Sequence, residues 1–114
     1  MGDRAMVQIK TEEGSLYVYT HWCGYDLPQI CKKAIKRAEG RWSDTPYALR
    51  ILVDQITKSG RDEETGWGLL LTPNAEDEYN GDIPSVQIDL KDLTFQTLGR
   101  HKRENLTFQE ISHG

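Results

Sequence analysis

The sequence predicts an α+β domain: a mainly antiparallel sheet with two helices packed on one face, in the order β-β-α-α-β-β-β, with room for one more strand. Three observations predict it. Two runs of alternating apolar and polar residues open the chain around a Glu-Glu-Gly turn. Two stretches with apolar residues at helical spacing follow, each with a proline near its start. Short strand-like runs then close the chain.

In "AMVQIKT", Val7 and Ile9 share one face and Gln8 and Lys10 the other. Gly14 suits the turn, because it adopts a positive φ without steric cost. "SLYVYTHW" is rich in β-branched and aromatic residues and returns as the second strand of a hairpin. Leu16, Val18 and Thr20 point to one side of it, and Tyr17, Tyr19 and His21 to the other.

The first helix is expected in "GYDLPQICKKAIKRAEG", with Asp26 as N-cap, Pro28 in the first turn and Gly40 closing the end. Leu27, Ile30, Cys31, Ala34, Ile35 and Ala38 form its apolar stripe, opposite Lys32, Lys33, Lys36 and Arg37. The second is expected in "SDTPYALRILVDQITKSG", with Thr45 as N-cap, Pro46 in the first turn and Gly60 at the end. Ala48, Ile51, Leu52 and Ile56 face inward, with Leu49 and Val53 widening the stripe.

After the charged connector "RDEETG", "WGLLLT" is more continuously apolar than the first strands and reads as a central one. An acidic loop, "PNAEDEYNGDIP", holds an Asn80-Gly81 turn signal. "SVQIDL" alternates with Val86, Ile88 and Leu90 inward, and "LTFQTL" returns after a Lys-Asp turn. The phrase recurs as "LTFQEI" at 106–111, too short an echo to be a structural repeat. The ordered core is expected over about residues 5–98, with 99–114 as a final hairpin strand, a dimer-forming strand or a tail.

The chain has 114 residues, which suits one domain spanning 1–114. It is 37% hydrophobic and 28% charged, which argues against global disorder. The net charge of -4 argues against a general nucleic-acid binder. The charge is uneven: residues 62–92 hold nine acids against Lys91, and residues 26–50 hold six bases against three acids. The basic face of the first helix, Arg41 beside it, and the group Arg100, Lys102 and Arg103 read as solvated surface. Neither cluster is interleaved with exposed aromatics as single-strand binders are. No apolar run is long enough to cross a membrane, and the N-terminus has no apolar signal core. With only Cys23 and Cys31, a disulfide framework is not needed, and a reducing cytoplasm is the expected location.

The densest chemistry lies in "YVYTHWCGYDLP", residues 17–28. Here a strand gives way to a helix, and such junctions bring side chains and helix-end N–H groups together. Trp22 is expected to anchor the core, Asp26 to cap and Gly24 to turn. His21, Trp22 and Tyr25, with Arg41 and Trp42 from "RWSDTPY" folded back, are the candidate ligand-binding residues. On a regular strand His21 and Cys23 would share a face, as a base and a thiol nucleophile must, but no third orienting group follows at a recognisable spacing. Cys31 reads as buried filler on its helix. Cys23 and Cys31 are too far apart for paired zinc ligands, His101 and His113 are isolated, and Glu76, Asp77, Glu78 and Asp82 lack the alternation of a calcium loop. No metal and no cofactor are expected.

In Thr20, His21, Trp22, Gly24, Leu27, Pro28, Arg41, Trp42 and Asp44, the chain resembles a family of small uncharacterised bacterial and phage-type proteins. Their shared pattern is an aromatic strand ending in a T-H-W-x-G turn, followed by an L-P helix start. The resemblance covers about residues 5–98 and leaves "RHKRENLTFQEISHG" outside. It implies no established activity. Cys23 stands where the family pattern has a small residue or glycine, which argues against a catalytic cysteine.

The expected function is a small binding or regulatory module of phage or mobile-element type, with an unidentified small ligand or protein at the His21 corner. A different class is a small hydrolase using His21 with Cys23 or Asp26. A third is a homodimer joined through the aromatic strand face.

Overall fold

β1 (Ala5–Thr11) and β2 (Gly14–Thr20) form the expected hairpin, paired from Ala5–Thr20 to Thr11–Gly14. At its turn Thr11 Oγ1 accepts the Glu13 N–H at 3.1 Å and donates to the Gly14 carbonyl at 2.8 Å. Gly14 has φ +149°, a conformation that side chains disfavour. The computed structural model describes residues 3–71, 84–99 and 101–113. The acidic loop, with Glu76, Asp77, Glu78, Asp82 and the Asn80-Gly81 turn, lies outside the described residues, as does Arg100.

α1 (Leu27–Arg37) and α2 (Thr45–Ile56) follow, each succeeded by a single 3-10 turn, at Glu39–Arg41 and Lys58–Gly60. Leu27, Cys31, Ala34, Ile35 and Ala38 are buried from the first, and Ala48, Leu52 and Ile56 from the second. The helix ends differ from expectation. Asp26 occupies the N-cap position of α1 but its side chain makes no capping bond. Asp44, not Thr45, precedes α2. Ala38 and Thr57 sit at the C-caps, and Gly40 and Gly60 fall in the 3-10 turns beyond. Gly60 has another reason to lack a side chain: a Cβ there would come within 2.7 Å of the Trp67 indole.

β3 (Trp67–Leu70), β4 (Val86–Asp89), β5 (Thr94–Thr97) and β6 (Asn105–Thr107) complete a six-stranded sheet of order β3-β2-β1-β4-β5-β6. Only β1 and β4 pair in parallel; the other neighbours are antiparallel. β3 is therefore outermost among the described strands, not central, and Leu69 and Leu71 are 56% and 82% exposed. A continuous apolar run reports on a strand's two faces. It carries no information about how many neighbours lie along its edges.

The helices cover the face that bears Val7, Ile9, Val18, Val86, Ile88 and Phe95, all fully buried. The register lines these residues up across the sheet: Val18, Val7 and Val86 in one row, and Ile9, Ile88 and Phe95 in the next. On the second face Tyr17, Gln8, Gln87 and Gln96 form a polar row. Gln96 Nε2 donates to Gln87 Oε1 at 2.9 Å, and Gln87 Nε2 donates to Gln8 Oε1 at 2.8 Å. Gln8 Nε2 then donates to Ser15 Oγ at 2.9 Å and to the Tyr17 hydroxyl at 3.3 Å. Along this row the second face holds partnered amides where the rows behind it hold hydrocarbon.

The terminal segment supplies the expected final hairpin strand and then, where no helix was expected, a short helix. β6 pairs with β5, and α3 (Phe108–His113) starts immediately after it. Phe108 is buried against Trp42, with ring centroids 5.1 Å apart, and the Trp42 indole N–H donates to the Ile35 carbonyl at 2.8 Å. The echo "LTFQ" thus appears in two structures. Thr94–Thr97 is all strand, whereas after Thr107 the chain coils. The next residue accounts for the difference. Glu110 Oε1 accepts the Thr107 N–H at 2.8 Å, while Thr107 Oγ1 accepts the Glu110 N–H at 3.1 Å, a reciprocal capping box. Thr97 stands where Glu110 does in the echo and binds the Glu104 N–H and the Lys102 carbonyl instead. Lys32 reaches the same segment, 2.7 Å from Glu104, so it is engaged where the rest of its helix's basic face is exposed.

The radius of gyration is 13.0 Å, the value of about 13 Å expected for one compact domain of this length. Among the described residues no helix is long and apolar enough to cross a membrane.

Glu110→Ala is expected to cost about 1 kcal/mol in urea unfolding and to speed amide exchange in α3 before the rest of the chain. Phe108→Ala, which empties a core position, is expected to cost about 3 kcal/mol or more by the same measurement.

Candidate functional site

The corner from Thr20 to Leu27 is built on satisfied backbone donors. The His21 N–H donates to the Gly66 carbonyl at 2.9 Å, and the Cys23 N–H to Thr20 Oγ1 at 3.1 Å. Asp3 holds the remainder. Its N–H donates to the His21 carbonyl at 2.7 Å, its carbonyl accepts the Gly24 N–H at 2.8 Å, and its carboxylate accepts the Tyr25 N–H at 2.7 Å. The backbone groups that a strand-to-helix junction offers to an anion are therefore taken, in good part by Asp3. An acidic residue before the first strand gave no sequence signal for this work, because the contact joins residues 22 positions apart.

With the backbone fixed, the side chains separate. Trp22 is not a core anchor: it is 59% exposed, and its indole edge lies 3.4 Å from where a Gly66 Cβ would stand. Its ring meets the His21 imidazole edge-on, with centroids 4.3 Å apart and planes at 84°. His21 Nδ1 lies 3.0 Å from the Tyr19 hydroxyl, and those two rings are inclined at 60°. Tyr19 pairs with Gly68 on β3, and Gly68 has open space where a side chain would be. The missing side chain leaves a notch in the second face of the sheet. The result is a hollow of about 420 Å³ whose lining includes Tyr19, His21, Trp22, Gly66 and Gly68, with Arg4 and Glu64 also on it. That volume falls in the range of small-molecule sites, which starts at about 300 Å³.

Of the residues singled out from sequence, His21 and Trp22 meet in this hollow. Tyr25 and Asp26 line a different one of about 310 Å³, with Gln29, His101 and Glu104. Arg41 lies over the Tyr47 ring, 5.4 Å from its centroid and 3.9 Å from the Asp44 carboxylate. Trp42 is the buried tryptophan of this pair, 7% exposed between α1 and α3. Arg41 and Trp42 do not line the His21 hollow. Sequence reasoning missed Arg4, Glu64, Gly66 and Gly68. The available signal for the two glycines was their place on either side of Trp67, because glycine within or beside a strand marks an open approach to its backbone.

Comparison with known proteins finds no matching family model, no matching curated protein and no matching solved structure.

Among the described residues the corner does not pair a nucleophile with a base. No hydrogen bond joins His21 to Cys23 or Asp26, since the His21 imidazole is engaged by Tyr19. Cys31 is fully buried, and desolvation pushes its thiol far above the usual range, so it has no thiolate to offer. No group of three or more His, Cys, Asp or Glu that could hold a metal ion occurs among the described residues. His101 Nε2 lies 3.0 Å from Ser85 Oγ and ties the segment after β5 to the start of β4.

Three outcomes check this geometry. Asp3→Ala is expected to cost about 1 kcal/mol in denaturant unfolding, by freeing the Tyr25 N–H. Gly66→Ala is expected to cost roughly 1–3 kcal/mol, because φ there is +103° and the added methyl presses on Trp22. In native protein, iodoacetamide followed by peptide mass spectrometry is expected to label half-buried Cys23 and spare Cys31 until the chain unfolds.

Proposed function

We propose that this chain is a small binding module whose ligand sits in the hollow beside His21. One observation carries the reading: Tyr19, His21 and Trp22 stand around a notch that Gly68 leaves open on β3. Trp22 supports it independently. Its indole is mostly exposed while Trp42 does the core packing, so the Trp22 ring can meet a ligand. The phage-type likeness carries no activity of its own, and the proposal stands on the hollow. Two free cysteines suit a reducing compartment such as the cytoplasm.

A second reading has one specific support. The aromatic strand face is a poor dimer surface, since Tyr17 and Tyr19 are 8% and 7% exposed. Exposed hydrocarbon lies instead on outer strand β3, at Leu69, and beside it at Leu71. Self-association would proceed there. Light scattering across a concentration series decides it: association is expected to weaken in Leu69→Lys, and a monomer at every concentration removes the reading.

For the ligand site the test is a fragment titration followed by amide and indole NMR. Binders are expected to move the signals of His21, Trp22 and Gly66. Gly68→Val is expected to abolish those shifts while leaving stability within about 0.5 kcal/mol or raising it, because valine suits a strand and its side chain enters open space. A broad library that leaves all three signals in place refutes the site.

A further inference from the structure

The two long helices meet along a seam on the opposite side of the sheet from the His21 hollow. They run antiparallel. Ile30, Lys33 and Ala34 of α1 line a depression of about 280 Å³ with Gln55, Ile56 and Lys58 at the far end of α2. At the other end of the seam Arg41, just past α1, lies 5.4 Å from the centre of the Tyr47 ring at the start of α2. Between these ends, Arg37 follows Lys33 by one helical turn, and Ile51 stands one turn from both Tyr47 and Gln55. Ala34 and Ile56 are buried, and Ile30 and Ile51 are half-buried against the core. The seam therefore has an aliphatic floor beneath basic rims.

The bases on these rims are not matched by their neighbours. Among the described residues Lys33, Lys36, Arg37 and Lys58 form no ion pair. Asp44 stands 3.9 Å from Arg41, but both side chains are exposed, so that pair adds little. Lys32, on the far side of α1, is by contrast matched by Glu104. Hydrocarbon beneath unmatched bases complements an amphipathic helix whose apolar stripe is flanked by carboxylates. The dimensions agree. From Tyr47 to Lys58 the seam runs about 16 Å at 1.5 Å per residue, which a partner helix of about three turns covers. Lys33 and Arg37 are about 6 Å apart along the axis, the rise between carboxylates one turn apart on such a helix. A single-stranded nucleic acid would meet the same bases, but it stacks on successive aromatic rings. Here Tyr47, 57% exposed, gives way to aliphatic Ile51 and Ile30.

We propose that the α1–α2 seam docks an acidic amphipathic helix of a partner protein, separately from the His21 hollow. Four probes are titrated in parallel into the isotopically labelled full chain at constant ionic strength. The first is a synthetic peptide of about fourteen residues with a leucine stripe flanked by glutamates, long enough to span the seam. The second carries lysines in place of the glutamates. The third has the composition of the first, scrambled so that no apolar stripe forms. The fourth is oligothymidylate. Amide signals of Ala34, Ile51 and Gln55 are followed. The first peptide is expected to shift them saturably and at lower concentration than the scrambled peptide or oligothymidylate, and the lysine peptide to have no effect.

Lys33→Glu combined with Arg37→Glu, at two exposed positions, is expected to weaken binding of the first peptide about tenfold or more. Arg50→Glu, at an exposed base beside Pro46 and Val53 on the other flank of α2, is expected to leave it unchanged. No saturable shift from the first peptide overturns the proposal. So does equal binding by the scrambled or the lysine peptide, which removes the need for the stripe or for the carboxylates. Tighter binding of oligothymidylate replaces the helix with a nucleic acid. A loss in Arg50→Glu as large as in the double variant overturns the placement on the seam.

Discussion

Burial of Val7 and Ile9 beneath the two long helices is the constraint on which the remaining structure depends. β1 lies inside the sheet, paired to β2 on one side and β4 on the other, so its register is passed to both neighbours. Slipping β1 by one residue would place Gln8 under α1 and turn Val7 and Ile9 to the second face. It would strand a carboxamide in hydrocarbon and break the amide row. The apolar rows on one face and the polar row on the other therefore enforce the same register from opposite sides. Tyr19 and Gly68 come to be opposite each other only because that register holds.

The corner beyond β2 shows how a surface aromatic is kept outside. Its backbone donors are satisfied by Asp3, the buried Thr20 hydroxyl and the Gly66 carbonyl, so the turn is held without help from a buried aromatic side chain. Trp42 and Phe108 meanwhile close the core between α1 and α3. With the interior filled, the Trp22 indole is left on the surface, steered by Gly66 on one side and His21 on the other. The exposed aromatic surface follows from completing the fold elsewhere.

The fold class was legible because periodicity reports which face is buried. The hairpin, both long helices and the inward residues of β4 were readable from local pattern alone. What sequence pattern could not supply was long-range pairing. The parallel contact of β1 with β4 and the outer place of β3 depend on chain segments that meet only in space. Trp22 and Trp42 were misjudged for the same reason: both precede small or polar residues, and only the packing of Phe108 tells them apart. The echoed "LTFQ" was legible as an echo but not as two structures, although Thr107 and Glu110 stand at capping-box spacing. Of the site, His21 and Trp22 were visible as unusual side chains. Gly68 and Asp3 were not, since one acts by lacking a side chain and the other by reaching across 22 residues.

The glutamine row on the second face also has a direction. Gln96 gives its NH2 to Gln87, Gln87 gives its own to Gln8, and Gln8 ends on Ser15 and Tyr17. The three amide dipoles therefore align head to tail across β5, β4 and β1, end on hydroxyls of β2, and polarise one another. Rotating one central amide by half a turn sets nitrogen against nitrogen on one side and oxygen against oxygen on the other. The row has a low-energy state only when all its members agree, so reversal must occur as a block. Four strands that share a hydrocarbon layer on one face share a single electrical orientation on the other.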